Sequence, residues 1–238
     1  MMDLAAARKQ IFIALDVPDV LRARQLVEAI GQDGKCYKVG LELLFGGGIE
    51  FAQGLKASGA EVFLDMKLLD IANTVEKATA NIANLGFDYL TVHGHDRKTL
   101  DAAAKGRATS RLKLLAVTVL TNLERTDLEQ QGITGHGPAD LVVHRAQLAQ
   151  AAGFDGVIAS GHEAALVRQA VGADFLIVTP GIRLPGGDVG DQARVMTPET
   201  AIAQGATHLV VGRPITTAAD PAAAARRFTE LLASARIP

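Results

Sequence analysis

The strongest constraint on this chain is a rhythm. Short apolar runs suited to strands alternate with helical patterns at intervals of about 25 to 30 residues. The runs are Ile11–Val17, Cys36–Gly40, Val62–Lys67, Tyr89–His93, Leu114–Leu120, Gly156–Ala159, Phe175–Thr179 and His208–Gly212. Helical patterns lie between them. The first begins near Pro18-Asp19, and the rest cover residues 48–58, 73–85, 97–105, 138–152, 162–171, 197–204 and 220–235. The strand runs are apolar throughout rather than alternating, as expected of a parallel sheet covered on its outside. Several follow a Gly-Phe-Asp or Gly-Ala-Thr step, the helix C-cap and short turn of an αβ connection.

Eight such units in 238 residues is the count of a (β/α)8 TIM barrel, here a single domain over residues 1–238. A doubly wound open sheet would more often show a glycine fingerprint after the first strand, and Asp16-Val17-Pro18 has none. No linker or repeat interrupts the pattern. Two stretches read as irregular, Thr121–Gly137 and Arg183–Val195.

Composition narrows the function classes. A formal net charge of −2 argues against a general nucleic-acid binder. A single cysteine, Cys36, excludes an intrachain disulfide, and no Cys/His group has zinc-ligand spacing. The apolar run from Ile11 ends at Asp16, too short for a signal peptide or membrane span. The expectation is a cytoplasmic enzyme of bacterial type, without membrane or nucleic-acid partners and with no metal.

In a barrel of this kind the active site gathers at the C-terminal strand ends. Here those ends carry Asp16, Lys38, Asp65 with Lys67 and then Asp70, His93, Thr121, Ser160, Arg183 and Arg213. Asp65 and Lys67 stand two apart in a strand, so alternation puts both on one face. Lys38 lies within an apolar run and needs a carboxylate partner, for which Asp65 is the best candidate. The array Lys38, Asp65, Lys67, Asp70 alternates in charge and suits an ammonium that donates a proton beside negative charge. An isolated Asp-x-Lys also reads as a surface salt bridge.

The seventh and eighth strands end in Pro180-Gly181-Ile182-Arg183 and Gly212-Arg213-Pro214. Loops there commonly hold phosphate through backbone N–H groups, and an arginine fork suits phosphate oxygens. The glycine-rich stretch between them suits a closing loop that delivers Gln192 and Arg183, or else an ordinary connection. His93 reads as a structural or hydrogen-bonding wall residue rather than a catalytic base, and Cys36 as a buried small hydrophobe.

At this point the residues resemble a family. Asp65-x-Lys67-x-x-Asp70-Ile71 with Asn73-Thr74 is similar to the signature of orotidine 5′-phosphate decarboxylases. So are Ala14-Leu15-Asp16, Lys38-Val39-Gly40, Val117 to Thr121, Thr179 to Arg183, Gly190-Asp191-Gln192, Met196-Thr197-Pro198 and Val211 to Ile215, in order along the chain. Ala72 departs from the proline that bacterial members usually carry.

The resemblance implies cofactor-free conversion of orotidine 5′-monophosphate to uridine 5′-monophosphate and carbon dioxide, the last step of pyrimidine synthesis. Lys67 would donate the proton to C6, Asp65 and Asp70 would position it, and Lys38 would complete the network. Asp16 and Lys38 would hold the ribose hydroxyls with Thr74 nearby, and Thr121 would lie by the pyrimidine. Gln192, Gly212 and Arg213 would grip the phosphate, with Arg183 in the same loop region. The family forms homodimers with shared sites, so Asp70, Ile71 and Thr74 would serve the neighbouring subunit. Two other readings stay open. One is a magnesium-dependent sugar-phosphate lyase sharing the motif, with Glu42 as a candidate metal carboxylate. The other is an inactive barrel that only binds a nucleotide.

Overall fold

Each apolar run becomes a strand because both of its faces are buried. The computed structural model describes residues 3–184 and 196–235. Eight parallel strands close into one barrel in sequence order. They are β1 (Ile11–Ala14), β2 (Cys36–Gly40), β3 (Glu61–Leu68), β4 (Tyr89–His93), β5 (Lys113–Val117), β6 (Gly156–Ile158), β7 (Leu176–Thr179) and β8 (His208–Val211). β8 pairs back onto β1 with Ile13 opposite Val211, which leaves no sheet edge.

Alternate residues of each strand enter two different cores. Phe12, Cys36, Phe63, Tyr89, Leu115 and Val178 fill the barrel interior. Their neighbours Ile13, Tyr37, Val62, Leu64, Leu90, Leu114 and Ile177 belong to the shell packed beneath the helices. A strand covered on both sides is apolar on both faces except where it carries a site or a satisfied polar group, which explains the long apolar runs. Helices begin where aspartates cap them. Asp19 accepts from the Arg22 N–H at 2.8 Å, Asp96 from Thr99 at 2.9 Å and Asp220 from Ala223 at 2.9 Å.

Differences from the sequence expectation lie at rims and short elements. β1 stops at Ala14 rather than Val17, and β5 at Val117 rather than Leu120. Leu15, Val17 and Val119 are nevertheless buried. Leu15 still donates its N–H to the Lys38 carbonyl of β2 at 2.9 Å, but the strands end before the apolar residues do, so apolarity overstated strand length. The stretch Thr121–Gly137 is not wholly irregular, because residues Arg125–Gln130 form a helix whose first turn is closed by Asp127 accepting from the Glu124 N–H at 2.8 Å. A further helix, Leu4–Lys9, precedes β1. Both are too short to show a helical period.

The end of the barrel remote from the strand C-termini is closed by rings. His208 stacks on Phe12 with centroids 5.3 Å apart and planes at 14°, and its Nδ1 lies 3.0 Å from the Thr207 hydroxyl. Burial, and then the Lys113 ammonium, push the His208 pKa down to about 4. The folded state therefore holds a neutral imidazole that the unfolded chain protonates near its ordinary value of about 6.5. Stability from this group is complete above that value and is lost as pH falls toward 4. In urea titrations we expect stability to decline from pH 6.5 to 4. His208→Gln should flatten the slope by up to about 1.4 kcal/mol per pH unit, the limit for one proton.

Candidate active site

The site is the upward continuation of the interior core. Two residues above Phe12, Cys36 and Phe63 on the same strand faces stand Ala14, Lys38 and Asp65, and Asp16 follows Ala14 at the same spacing. Above Leu115 come Val117, Val119 and Thr121, and above Val178 comes Pro180. All of these line one cavity of about 520 Å³ at the strand C-termini, together with Lys67, Ile158, Gly181, Arg183, Val210, Gly212 and Arg213. That volume suits a small ligand largely enclosed by protein.

One wall carries a chain of charges. The Lys38 ammonium lies 2.8 Å from Asp16 Oδ1 and 3.3 Å from Asp65 Oδ2, and the Lys67 ammonium lies 2.9 Å from the same Asp65 Oδ2. Asp65 Oδ1 accepts from the Thr91 hydroxyl at 2.9 Å. Burial pushes the Lys38 pKa down, but Asp65 and then Asp16 outweigh it and keep the ammonium charged. Burial would raise Asp65, yet Lys38 first and Lys67 next hold its carboxyl below the usual carboxylate range. Gly40 leaves room beside this chain, since a Cβ there would stand 3.0 Å from both Asp16 Oδ1 and Lys38 Nζ and would press on their contact. Lys38 thus gains the expected partner in Asp65 and a second in Asp16, which spacing along the chain did not reveal.

The cavity is also lined by two glycine-led segments that carry arginines. Gly181 adopts φ 76°, a left-handed turn open to glycine. Arg183 is buried, and its backbone N–H donates to the Met196 carbonyl at 3.0 Å while the Met196 N–H donates to Gly181 at 3.2 Å. These bonds tie the two ends of the intervening stretch together. Arg213 opens the short helix Arg213–Thr216 directly after Gly212. Val117, Val119, Leu120 and Ile158 supply apolar lining to the same cavity.

Not every expected residue joins this cavity within one chain. Asp70 is exposed, and its Oδ1 accepts from its own neighbour Ile71 N–H at 2.6 Å. Thr74 is exposed in the first turn of helix Ala72–Asn84. Ala72 occupies the first position of that helix, where proline is merely favoured, so the departure leaves the helix start intact. Gln192, with Gly190 and Asp191, lies outside the described residues. Glu42 lines the cavity and is exposed, but among the described residues no three His, Cys, Asp or Glu side chains form a metal-holding group. His93 stands off the cavity wall, its pKa pushed down to about 4 by burial first and then by His95 and Lys67. Thr91 escaped the sequence reading because a threonine inside a strand carries no signal of its own.

The sequence profile of the orotidine 5′-phosphate decarboxylase / HUMPS family matches residues 9–228. An orotidine 5′-phosphate decarboxylase of a Bradyrhizobium species is 50% identical over 230 residues, covering 97% of this chain and 94% of that one. One of a Methylobacterium species is 49% identical, covering 96% of this chain and 97% of the relative. Among solved structures, the orotidine 5′-phosphate decarboxylase of Lactobacillus acidophilus superposes with a TM-score of 0.83 at 34% identity, covering 93% of this chain and 98% of that one.

The charge chain makes a stability prediction that is independent of any activity. Asp65→Ala leaves the buried Lys38 beside Lys67 with only the half-exposed Asp16 to compensate it. The loss in urea denaturation should be about 3 kcal/mol, as for breaking a buried pair. Asp101→Ala, which breaks an exposed helical pair with Arg97, should change stability by less than about 0.5 kcal/mol.

Proposed function

The chain belongs to the orotidine 5′-phosphate decarboxylase / HUMPS family, and from that premise we propose that it is the decarboxylase itself. It converts orotidine 5′-monophosphate to uridine 5′-monophosphate and carbon dioxide as a cofactor-independent carboxy-lyase of pyrimidine synthesis. The observation that carries this reading is the Lys38–Asp65–Lys67 chain in a cavity that Arg183 and Arg213 also line.

In this reading the phosphate lies by Gly181, Arg183, Gly212 and Arg213, and Gln192 also serves it. Asp16 and Lys38 take the ribose hydroxyls, and the pyrimidine lies against Thr121 and the apolar wall. The bond from C6 to the carboxylate breaks, carbon dioxide leaves, and the electron pair stays on C6 in the ring plane, where the ring π-system cannot spread it. Lys67 then transfers a proton to C6 and is reprotonated by solvent. Proton donation supplies about 3–5 kcal/mol, the equivalent of a hundredfold to ten-thousandfold. So slow a reference reaction needs about 20 kcal/mol or more. The remainder falls to the ammonium groups already fixed around the developing charge, and to binding energy from the remote phosphate.

We read the working unit as a homodimer. Leu69 and Ile71, 54% and 72% exposed on either side of Asp70, are costly on a free surface. A second copy seated there would cover them and bring Asp70, Ile71 and Thr74 to its neighbour's cavity.

Two experiments test the reading. With orotidine 5′-monophosphate in excess EDTA, the purified protein should show full turnover by pyrimidine absorbance, and Lys67→Ala should lose about a thousandfold or more in kcat. Activity appearing only with magnesium, and on a keto-sugar phosphate, would transfer the site to the lyase reading. Nucleotide binding without turnover of either substrate would leave an inactive barrel. In sedimentation, the protein should run as a dimer that Ile71→Arg dissociates, with turnover lost in parallel.

A further inference from the structure

The conformation that presents Lys67 to the cavity is not one a strand adopts. Lys67 has φ 50°, one of two non-glycine residues in the left-handed region among those described, the other being Ala108. A lysine in this region carries a strain of about 1–2 kcal/mol relative to an ordinary strand conformation. The register of the sheet shows where the strain arises. Leu64 pairs with Leu90, yet the next pairing is Leu68 with Val92. Four steps along β3 thus oppose two along β4, so Asp65, Met66 and Lys67 bulge out of the ladder.

A bulge leaves backbone groups without ladder partners, and a buried one must be satisfied otherwise. The side chain opposite the bulge does this. The Thr91 hydroxyl accepts from the Lys67 backbone N–H at 2.9 Å and donates to Asp65 Oδ1 at 2.9 Å. Thr91 is fully buried and does not line the cavity. It sits two residues above Tyr89 of the interior core, on the strand face that meets Asp65. One hydroxyl therefore holds the strained backbone of one ionic residue and the carboxylate orientation of the other. Asp65 in turn presents its second oxygen to both Lys38 and Lys67.

We propose that Thr91 is a positioning residue for the proton donor, its hydroxyl fixing the Lys67 backbone and the Asp65 carboxylate at once. It touches no substrate and acts only through those two groups. The proposal rests on the decarboxylase reading for its kinetic expression, but its structural content stands apart from it. Valine keeps the shape of threonine and deletes the hydroxyl. Serine keeps the hydroxyl and deletes only a methyl group.

The test compares Thr91→Val and Thr91→Ser with the wild-type protein, with Thr91→Ala replacing the valine variant should that fail to fold. Thr91→Val should lower kcat about a hundredfold with KM changed less than about threefold, since a misplaced donor harms the transition state more than substrate binding. Thr91→Ser should restore kcat to within about fivefold of wild type. Its crystal structure should keep the positive φ at Lys67, and that of Thr91→Val should lose it or show the Asp65 carboxylate turned. Unchanged kcat in the valine variant would overturn the proposal, as would a serine variant impaired as deeply as valine. If the wild-type protein itself does not turn over orotidine 5′-monophosphate, the function reading fails. The two crystal structures then decide Thr91 alone, and a valine variant with Lys67 and Asp65 unmoved overturns it.

Discussion

Taking the Lys38 ammonium out of water is the demand around which this structure is arranged. An unpaired ammonium in a barrel interior costs several kcal/mol. The compensation comes from two strands, Asp16 above β1 and Asp65 on β3, both within 3.3 Å. Asp65 cannot be spared for this task alone, because the same oxygen lies 2.9 Å from Lys67. Lys38 and Lys67 are thereby locked through a shared carboxylate. Moving Asp65 would leave Lys67 without its carboxylate and Lys38 with Asp16 alone, so the shared carboxylate is the rigid point of the group before any ligand arrives. That rigidity is what electrostatic catalysis requires, since fixed charges need no reorganisation during reaction.

The barrel keeps this demand separate from its own stability. Its lower interior is a ring-packed layer of Phe12, Phe63, Tyr89 and His208, with centroid distances of 4.9 to 6.3 Å. The polar groups begin two residues higher on the same faces. Apolar packing below can thus hold backbone strain above, and the left-handed Lys67 sits within the bulge of β3 rather than in a free loop. The division matches the usual one in such barrels, with chemistry at the strand C-termini and stability at the other end.

The sequence made the barrel legible because both strand faces are buried, so Cys36–Gly40 and Tyr89–His93 could be bounded by apolarity alone. Where apolar residues continue under rim loops, as at Val17 and Val119, the same rule overran the strands. Asp65 was legible as a partner of Lys38 because burial of an ammonium demands one. Asp16 was not, since it takes the β1–β2 register, with Ala14 opposite Lys38, to tell which rim residue leans over Lys38. Strict alternation put Asp65 and Lys67 on one face, and the structure reaches the same outcome by a bulge and a left-handed residue. Thr91 was invisible for that reason. Its importance depends on a register shift that no spacing in the sequence announces. Asp70 and Thr74 stand away from the cavity in one chain, which is where a contribution to a second copy would have to start.

On the decarboxylase reading, the charge order along the wall also decides which bound state is stabilised. The substrate brings two anionic groups, a phosphate and a carboxylate, and the cavity offers two arginines for the one and the Lys38–Asp65–Lys67 chain for the other. The arginines can hold the phosphate throughout, because its charge does not change. Beside the Lys38–Asp65–Lys67 chain the charge changes place. As carbon dioxide departs, negative charge leaves the carboxylate and appears on C6, and Asp65 favours whichever arrangement puts less of it near its own oxygens. Lys67 favours the arrangement that puts it nearest its ammonium. Both preferences point to the carbanion and then to the protonated product, provided the ammonium and the carboxylate keep their separation of 2.9 Å. A chain that let Lys67 swing on a flexible backbone would retain the charges and lose the difference between ground state and transition state, which is the only part of binding that accelerates a reaction.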